Sequence, residues 1–286
     1  MRPDMFGRWF GRRRPELPRE LDPRLRSLAA PAVHLTHSQA PSRSYFGGQP
    51  GVRPGFSWPT AADGRPLSFI ACIALDHLHT ELAIDWLPDS GQLWFFYDLE
   101  TMPWGFDPKD RGHWRVLHIP DIGTPIESAP PDASTKTSDG PCCLPVSPIE
   151  FHRIESLPSA DNAAVDALGL PDSTLDALAQ EMQATFGDRP HHQIAGHPDP
   201  VQNDNMALEC QLASGGIDCG DAKGYRSAAG RTLASGASEW RLLLQIDSDG
   251  TLDVMWGDCG MLYVWVREDQ ARNHDFSDAW FVLQCH

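Results

Sequence analysis

The chain has 286 residues, 41% apolar and 22% charged, the balance of a folded globular protein rather than a disordered, collagen-like or coiled-coil one. Its net charge is −16; the first twenty residues hold six arginines against three acids, a local +3 that leaves −19 on the remainder and argues against a nucleic-acid groove. No apolar run reaches the ~18 residues of a membrane-spanning helix, so no membrane span is expected.

Residues 1–40 read as a basic tail and a short lead-in. Arg12, Arg13 and Arg14 are followed by Pro15 and Glu16 rather than an apolar stretch, so Met1–Glu20 is expected to be a flexible tail and not an export signal. A short surface anchor built on Phe6, Trp9 and Phe10 is the alternative. From residue 41 to 286 a single domain is expected. Aromatic and β-branched content predicts strands at Phe69–Leu75, Leu93–Tyr97 and Trp114–His118. The Pro-, Ser- and Thr-rich stretch Thr124–Pro141 reads as a loop. A strand is predicted at Ile149–Ile154 and a short helix at Asp161–Leu168. Leu175, Leu178, Ala179, Met182 and Phe186 recur at helical spacing between a cap at Asp172 or Ser173 and a stop at Gly187, which predicts a helix. Further strands are expected at Met206–Ala213 and Leu252–Trp256, with a polar surface loop at Ser214–Ser238. Trp240–Ile246, Leu262–Val266 and Trp280–Gln284 are strands, and Asp247–Gly250 is a hairpin turn.

Blocks recur in the same order. Phe69–Asp76 matches Trp240–Asp247, Gly91–Tyr97 matches Gly260–Val266, Trp114–His118 matches Trp280–Gln284, and Phe46–Pro50 matches Ile194–Pro198. Ordered blocks at similar spacing indicate a duplication, with copies at about 45–120 and 192–286. The expected fold is therefore α+β: two β-rich halves packed as one pseudo-symmetric body, with a few helices between and around them. The two Gly/Pro turns are expected to face each other or flank the seam.

Gly47, Gly48 and Pro50 followed by Trp58-Pro59; His192, Gln193, Gly196, His197 and Pro198 followed by Gln202; and Trp240–Asp249 with Met255–Gly260 and Leu262-Tyr263 together resemble the bacterial YwqG-like family, from about Pro41 to the C terminus. Phe276 and Gln284 fit its tail. Where the family tends to carry Gln-Ile-Asp in the first central strand, this chain has Cys72-Ile73-Ala74; the second copy keeps Gln245-Ile246-Asp247. The resemblance implies a duplicated α+β fold and no activity, since the family is a domain of unknown function.

The seven cysteines are odd in number and form no Cys-x-x-Cys pair, which suits a reducing, cytoplasmic setting. The vicinal Cys142-Cys143 is expected as free thiols or simple packing residues, with a strained redox disulfide as the alternative. His191, His192 and His197, with Cys210, Cys219 and Cys259, raise the question of zinc. No paired Cys spacing supports it, and His197 aligns with Gln49, so no metal and no cofactor are expected. There is no Gly-x-Ser-x-Gly elbow and no phosphate-binding loop; a Cys259–His pair is the one conceivable nucleophile. Ten tryptophans fill a core or present stacking surfaces. Polar residues near the turns mark a ligand-binding candidate at the seam: Gln49, Trp58, His192, Gln193, His197, Gln202, Gln245, Trp256 and Asp258. The competing explanation is that they hydrogen-bond to one another and lock the halves. The expected function is a non-enzymatic binding or protein-interaction module with a protein or small-molecule partner. A metal- or Cys/His-assisted hydrolase-like enzyme is the alternative.

Overall fold

The computed structural model describes residues 21–52, 55–120, 126–127 and 143–286. The basic tail, most of the Thr124–Pro141 loop and Cys142 lie outside the described residues. In chain order the elements are α1 (Pro23–Arg26), β1 (Ala30–His37), β2 (Tyr45–Phe46), β3 (Gly51–Val52), β4 (Ser68–Ala74), α2 (Leu75–Glu81), β5 (Gln92–Tyr97), β6 (Trp114–Ile119), β7 (Ile126–Glu127) and β8 (Ser147–Ser156). Then come α3 (Ala163–Asp166), α4 (Asp172–Phe186), β9 (Gln193–Ile194), α5 (Met206–Ser214), α6 (Ala222–Arg226), α7 (Ala228–Leu233), β10 (Trp240–Asp247), β11 (Met261–Arg267), α8 (Glu268–Arg272) and β12 (Trp280–Gln284). No helix among the described residues is long and apolar enough to cross a membrane.

The fold is mixed α+β. Ten strands form one antiparallel sheet in the order β12-β11-β10-β9-β1-β8-β2-β4-β5-β6, and β3 pairs with β7 separately. Outward from the central β1–β8 pair, each side runs from a two-residue strand to three longer ones. Both β4–β5 and β10–β11 carry a register shift, between Phe69 and Ala71 and between Leu242 and Leu244. A shift of this kind bends a strand and raises its twist.

The sheet curls until its two edges meet, nearly closing as a barrel does. Trp114 on β6 donates from its indole to the Ala279 carbonyl at 3.0 Å, and Trp280 on β12 donates to Gly105 at 2.7 Å. The rings of Tyr97 and Trp114 both stack on Phe281. Gly105 adopts φ +83°, and a Cβ there would collide with the Phe281 carbonyl. The close approach therefore requires glycine.

Side-chain alternation sorts the core. Along β5, Leu93, Phe95 and Tyr97 face the main core inside the curl, while Trp94 and Phe96 join Phe69, Cys72, Val52 and Leu67 in a second cluster outside it. A third cluster, Leu21, Leu25, Leu157, Val165 and Leu178, anchors α1, α3 and α4.

Several expectations are corrected. Met206–Ala213 is the helix α5, not a strand. Its apolar Met206, Cys210 and Ala213 fall at i, i+4 and i+7, and Ala, Leu, Glu and Gln are strong helix formers. Leu252–Trp256 is a compact turn: Asp249 and Val254 exchange two backbone hydrogen bonds, and Asp253 adopts φ 50°. The expected loop at 214–238 is loop only over 215–221; beyond it come α6, α7 and a 3-10 stretch over Ala234–Glu239. The lead-in before residue 41 supplies β1, one of the two middle strands.

Candidate functional site

The register brings particular residues to one end of the sheet. His37 ends β1, opposite Ile149 near the start of β8, and Ser147 opens β8 opposite Phe46. The Leu35 N–H bonds the His192 carbonyl at 2.9 Å, which sets the start of β9 beside them. Asp247 ends β10, and the turn after it carries Asp249.

His192 is fully buried. Its Nδ1 accepts the Asp247 backbone N–H at 3.0 Å, so the ring proton sits on Nε2, which donates to Asp249 Oδ2 at 3.0 Å. Burial pushes the His192 pKa down and keeps it neutral. Asp249 Oδ2 also meets His37 Nε2 at 2.5 Å, and Oδ1 accepts the Thr251 N–H at 2.7 Å. Burial alone would raise the Asp249 pKa; the hydrogen bonds from His192, His37 and Thr251 outweigh it and hold the carboxyl far below the usual range. With His37 Nε2 donating to Asp249, its Nδ1 is left to accept the Ser147 hydroxyl at 2.6 Å.

His37, His192 and Asp249 are the group among the described residues whose ligand atoms cluster closely enough for a metal ion. The chemistry does not fit one. A histidine that binds through Nε2 must carry its proton on Nδ1, and His192 Nδ1 is occupied by an N–H donor. The three histidines of the 191–197 loop also diverge: His191 binds Asp199, His192 binds Asp249, and His197 Nε2 donates to the Leu28 carbonyl.

The sequence-predicted residues fall into two groups. Gln193 and Gln245 face each other across β9 and β10. Gln193 donates to the Ala195 and His197 carbonyls, each at 2.7 Å. Gln245 accepts the Asp199 N–H at 2.9 Å and donates to the His191 carbonyl at 2.7 Å. Gln202 donates to the Cys285 carbonyl, and Trp256, fully buried, donates to the Asp247 carbonyl. These residues tie the 191–202 loop and the 249–260 turn to β10 and β12. Tyr263 and Gln284, which carry the family resemblance but are not among the ligand-binding candidates, add further bonds to Asp199, Val201 and Gln202. Asp258 is exposed, and its carbonyl accepts the His286 N–H.

Gln49 and Trp58 sit apart, on the connection from β2 to β4. Gln49 is exposed, and Trp58 packs edge-on against Phe96 in the outer cluster. The two Gly/Pro turns lie at opposite ends of β8. Gly48 bonds the Leu144 carbonyl before its start, and Gly196 packs on Ser156 at its end. A ten-residue strand spans roughly 30 Å, so the turns do not face one another.

Cys259 is exposed on the turn before β11, whereas the buried thiols offer little nucleophilic character. Burial pushes Cys72 and Cys219 up to about 12, and Cys210 well above its ordinary value. Trp104 and Met255 are 43% and 57% exposed, on loops that flank the end of β12. The Trp104 carbonyl takes the Leu283 N–H, and Gly257, two residues after Met255, packs on Cys285.

The model of a family described as a domain of unknown function, DUF1963, matches residues 44–285. No curated protein matches the chain. The match spans all the strands from β2 to β12 and most of the chain, so the protein belongs to the DUF1963 family.

Proposed function

We propose that the protein is a binding or protein-interaction module whose ligand seats at the end of the sheet where Trp104 and Met255 flank β12. The carrying observation is that two exposed apolar side chains, Trp104 and Met255, stand on loops that both pack against the end of β12. Asp253 and Asp258 are exposed on the same turn, and the body is acidic, so a neutral or basic ligand with an apolar or aromatic part fits best. The metal- or Cys/His-assisted hydrolase draws less support: the histidine cluster has the wrong tautomer for an ion, and the buried thiols are held protonated.

The reading extends to the architecture. A duplicated, YwqG-like pair of halves is supported by the matching strand order on either side of β1–β8. It is supported also by the two register shifts and by the equivalent opposed pairs Tyr45↔Cys72 and Gln193↔Gln245. Among the described residues Cys72, Cys210, Cys219, Cys259 and Cys285 are free thiols, which accords with a reducing, cytoplasmic location.

The test is a thermal-shift screen of peptides and small molecules, followed by titration of any hit against the double variant Trp104→Ala/Met255→Ala. Loss of binding with an unchanged melting midpoint for the free protein supports the site. A hit that binds the double variant as tightly as the parent overturns it.

A further inference from the structure

We propose a second capacity at this end of the sheet: a serine-dependent acyl-transfer site with Ser147 as nucleophile, His37 as general base and Asp249 as the group that orients the base. The proposal stands whether or not the rim docks a partner. It rests on the chain Ser147 Oγ–His37 Nδ1 at 2.6 Å and His37 Nε2–Asp249 Oδ2 at 2.5 Å. A nucleophile within hydrogen-bond reach of a base, itself oriented by a third group, is the arrangement that activates a serine. The ring is turned relative to the commoner triad, so its two nitrogens exchange roles: Nδ1 faces the serine as base and Nε2 donates to the carboxylate.

Three features go beyond a chance contact. The residues come from three distant places, the end of β1, the start of β8 and the turn after β10, so only the assembled sheet builds the relay. Asp249 is buried and ionised, and it takes a further hydrogen bond from neutral His192, which fixes the carboxylate against the His37 ring. Finally, Ser147 is buried but lies beside Val146, which is 66% exposed, and His37 retains 19% of its side-chain exposure, so the relay lies just beneath the surface and opens to it at the His37 ring. The Gly47-Gly48 turn, both residues at positive φ, packs against Leu144–Val146 and holds the approach to Ser147.

In the reaction, Ser147 Oγ bonds to the carbonyl carbon of an ester, and its proton passes to His37 Nδ1. The bond from carbon to the leaving oxygen breaks as His37 returns that proton to the departing alcohol. Water then adds to the acyl-serine, gives its proton to His37, and the acid leaves as the proton returns to Ser147. The acidic body favours neutral or cationic esters over anionic ones.

The experiment exposes the full chain to a fluorophosphonate probe and, separately, to p-nitrophenyl acetate, with peptide mapping of the probe adduct. Labelling at Ser147 is expected, with loss in Ser147→Ala and slowing by about 100-fold in His37→Ala. Ser38→Ala should label like the parent. The melting midpoint of each variant separates lost chemistry from lost folding, and Ser147→Ala removes only one hydroxyl. Absence of labelling in the folded parent, an adduct on another residue, or equal labelling of Ser147→Ala overturns the proposal.

Discussion

The indole of Trp114 meets that of Trp280 edge-on, with ring centroids 5.0 Å apart, and the two come from opposite edges of a ten-stranded sheet. Aromatic pairs in this geometry contribute beyond their buried area. Here they also carry the closure, because each indole N–H reaches a backbone carbonyl on the facing side. Trp280→Ala should therefore cost about 3–5 kcal/mol, measured by urea denaturation. A loss under 1 kcal/mol would mean that the edges are held by something else.

Gln245 is fully buried and holds two backbone groups of the 191–202 loop. Gln245→Leu leaves the Asp199 N–H and the His191 carbonyl without that partner, at about 1–3 kcal/mol for each group. The expected result is a clear drop in the melting midpoint, with hydrogen exchange rising first in the loop. An unchanged midpoint would return Gln245 to the list of ligand-binding candidates.

Two buried histidines set the acid limb of stability. Burial lowers His34 to about 4 and lowers His192 as well, so both are neutral in the folded protein. The unfolded chain binds their protons from pH ~6.5 downward. Their contribution is thus fully present above pH ~6.5 and is lost as pH falls toward 4. The urea midpoint should decline over that window, and His34→Gln should flatten the decline.

Glu209 acts in the opposite sense. Burial raises its carboxyl to about 7, and one of its oxygens is buried with no hydrogen-bond partner. The folded state holds this proton more tightly than the unfolded one, so the contribution is full below pH ~4.3 and is lost as pH rises through 7. Glu209→Gln should gain stability relative to the parent at pH 8 but not at pH 5. Equal effects at both values would show that Glu209 is not the titrating group.

The strands that pack on both faces were legible because their aromatic and aliphatic runs leave no other place to go: β5, β10, β11 and β12 fall where the sequence puts them. α4 was legible from its spacing and its glycine stop. β1 was not. Its Pro31 and two histidines break the apolar run, and its burial comes from neighbours more than a hundred residues away in sequence. α5 was misread because a short apolar run has no decisive period. At the candidate site, the glutamines and His192 stood out by residue type, but His37 and Ser147 did not. Nothing local in either segment signals a partner; the register of β1 on β8 creates the contact.

The pairing of β1 with β8 also governs when the molecule is finished. The two middle strands are separated by residues 38–146, and β9 joins β1 later still. A ribosome must release the chain past residue 156 before the central pair can zip. Until then β1 waits with both of its edges open. Contacts of such long sequence separation fold slowly, and unpaired edges recruit other chains. The segment most in need of a chaperone during synthesis is therefore β1, which emerges about a hundred residues ahead of its partner strand.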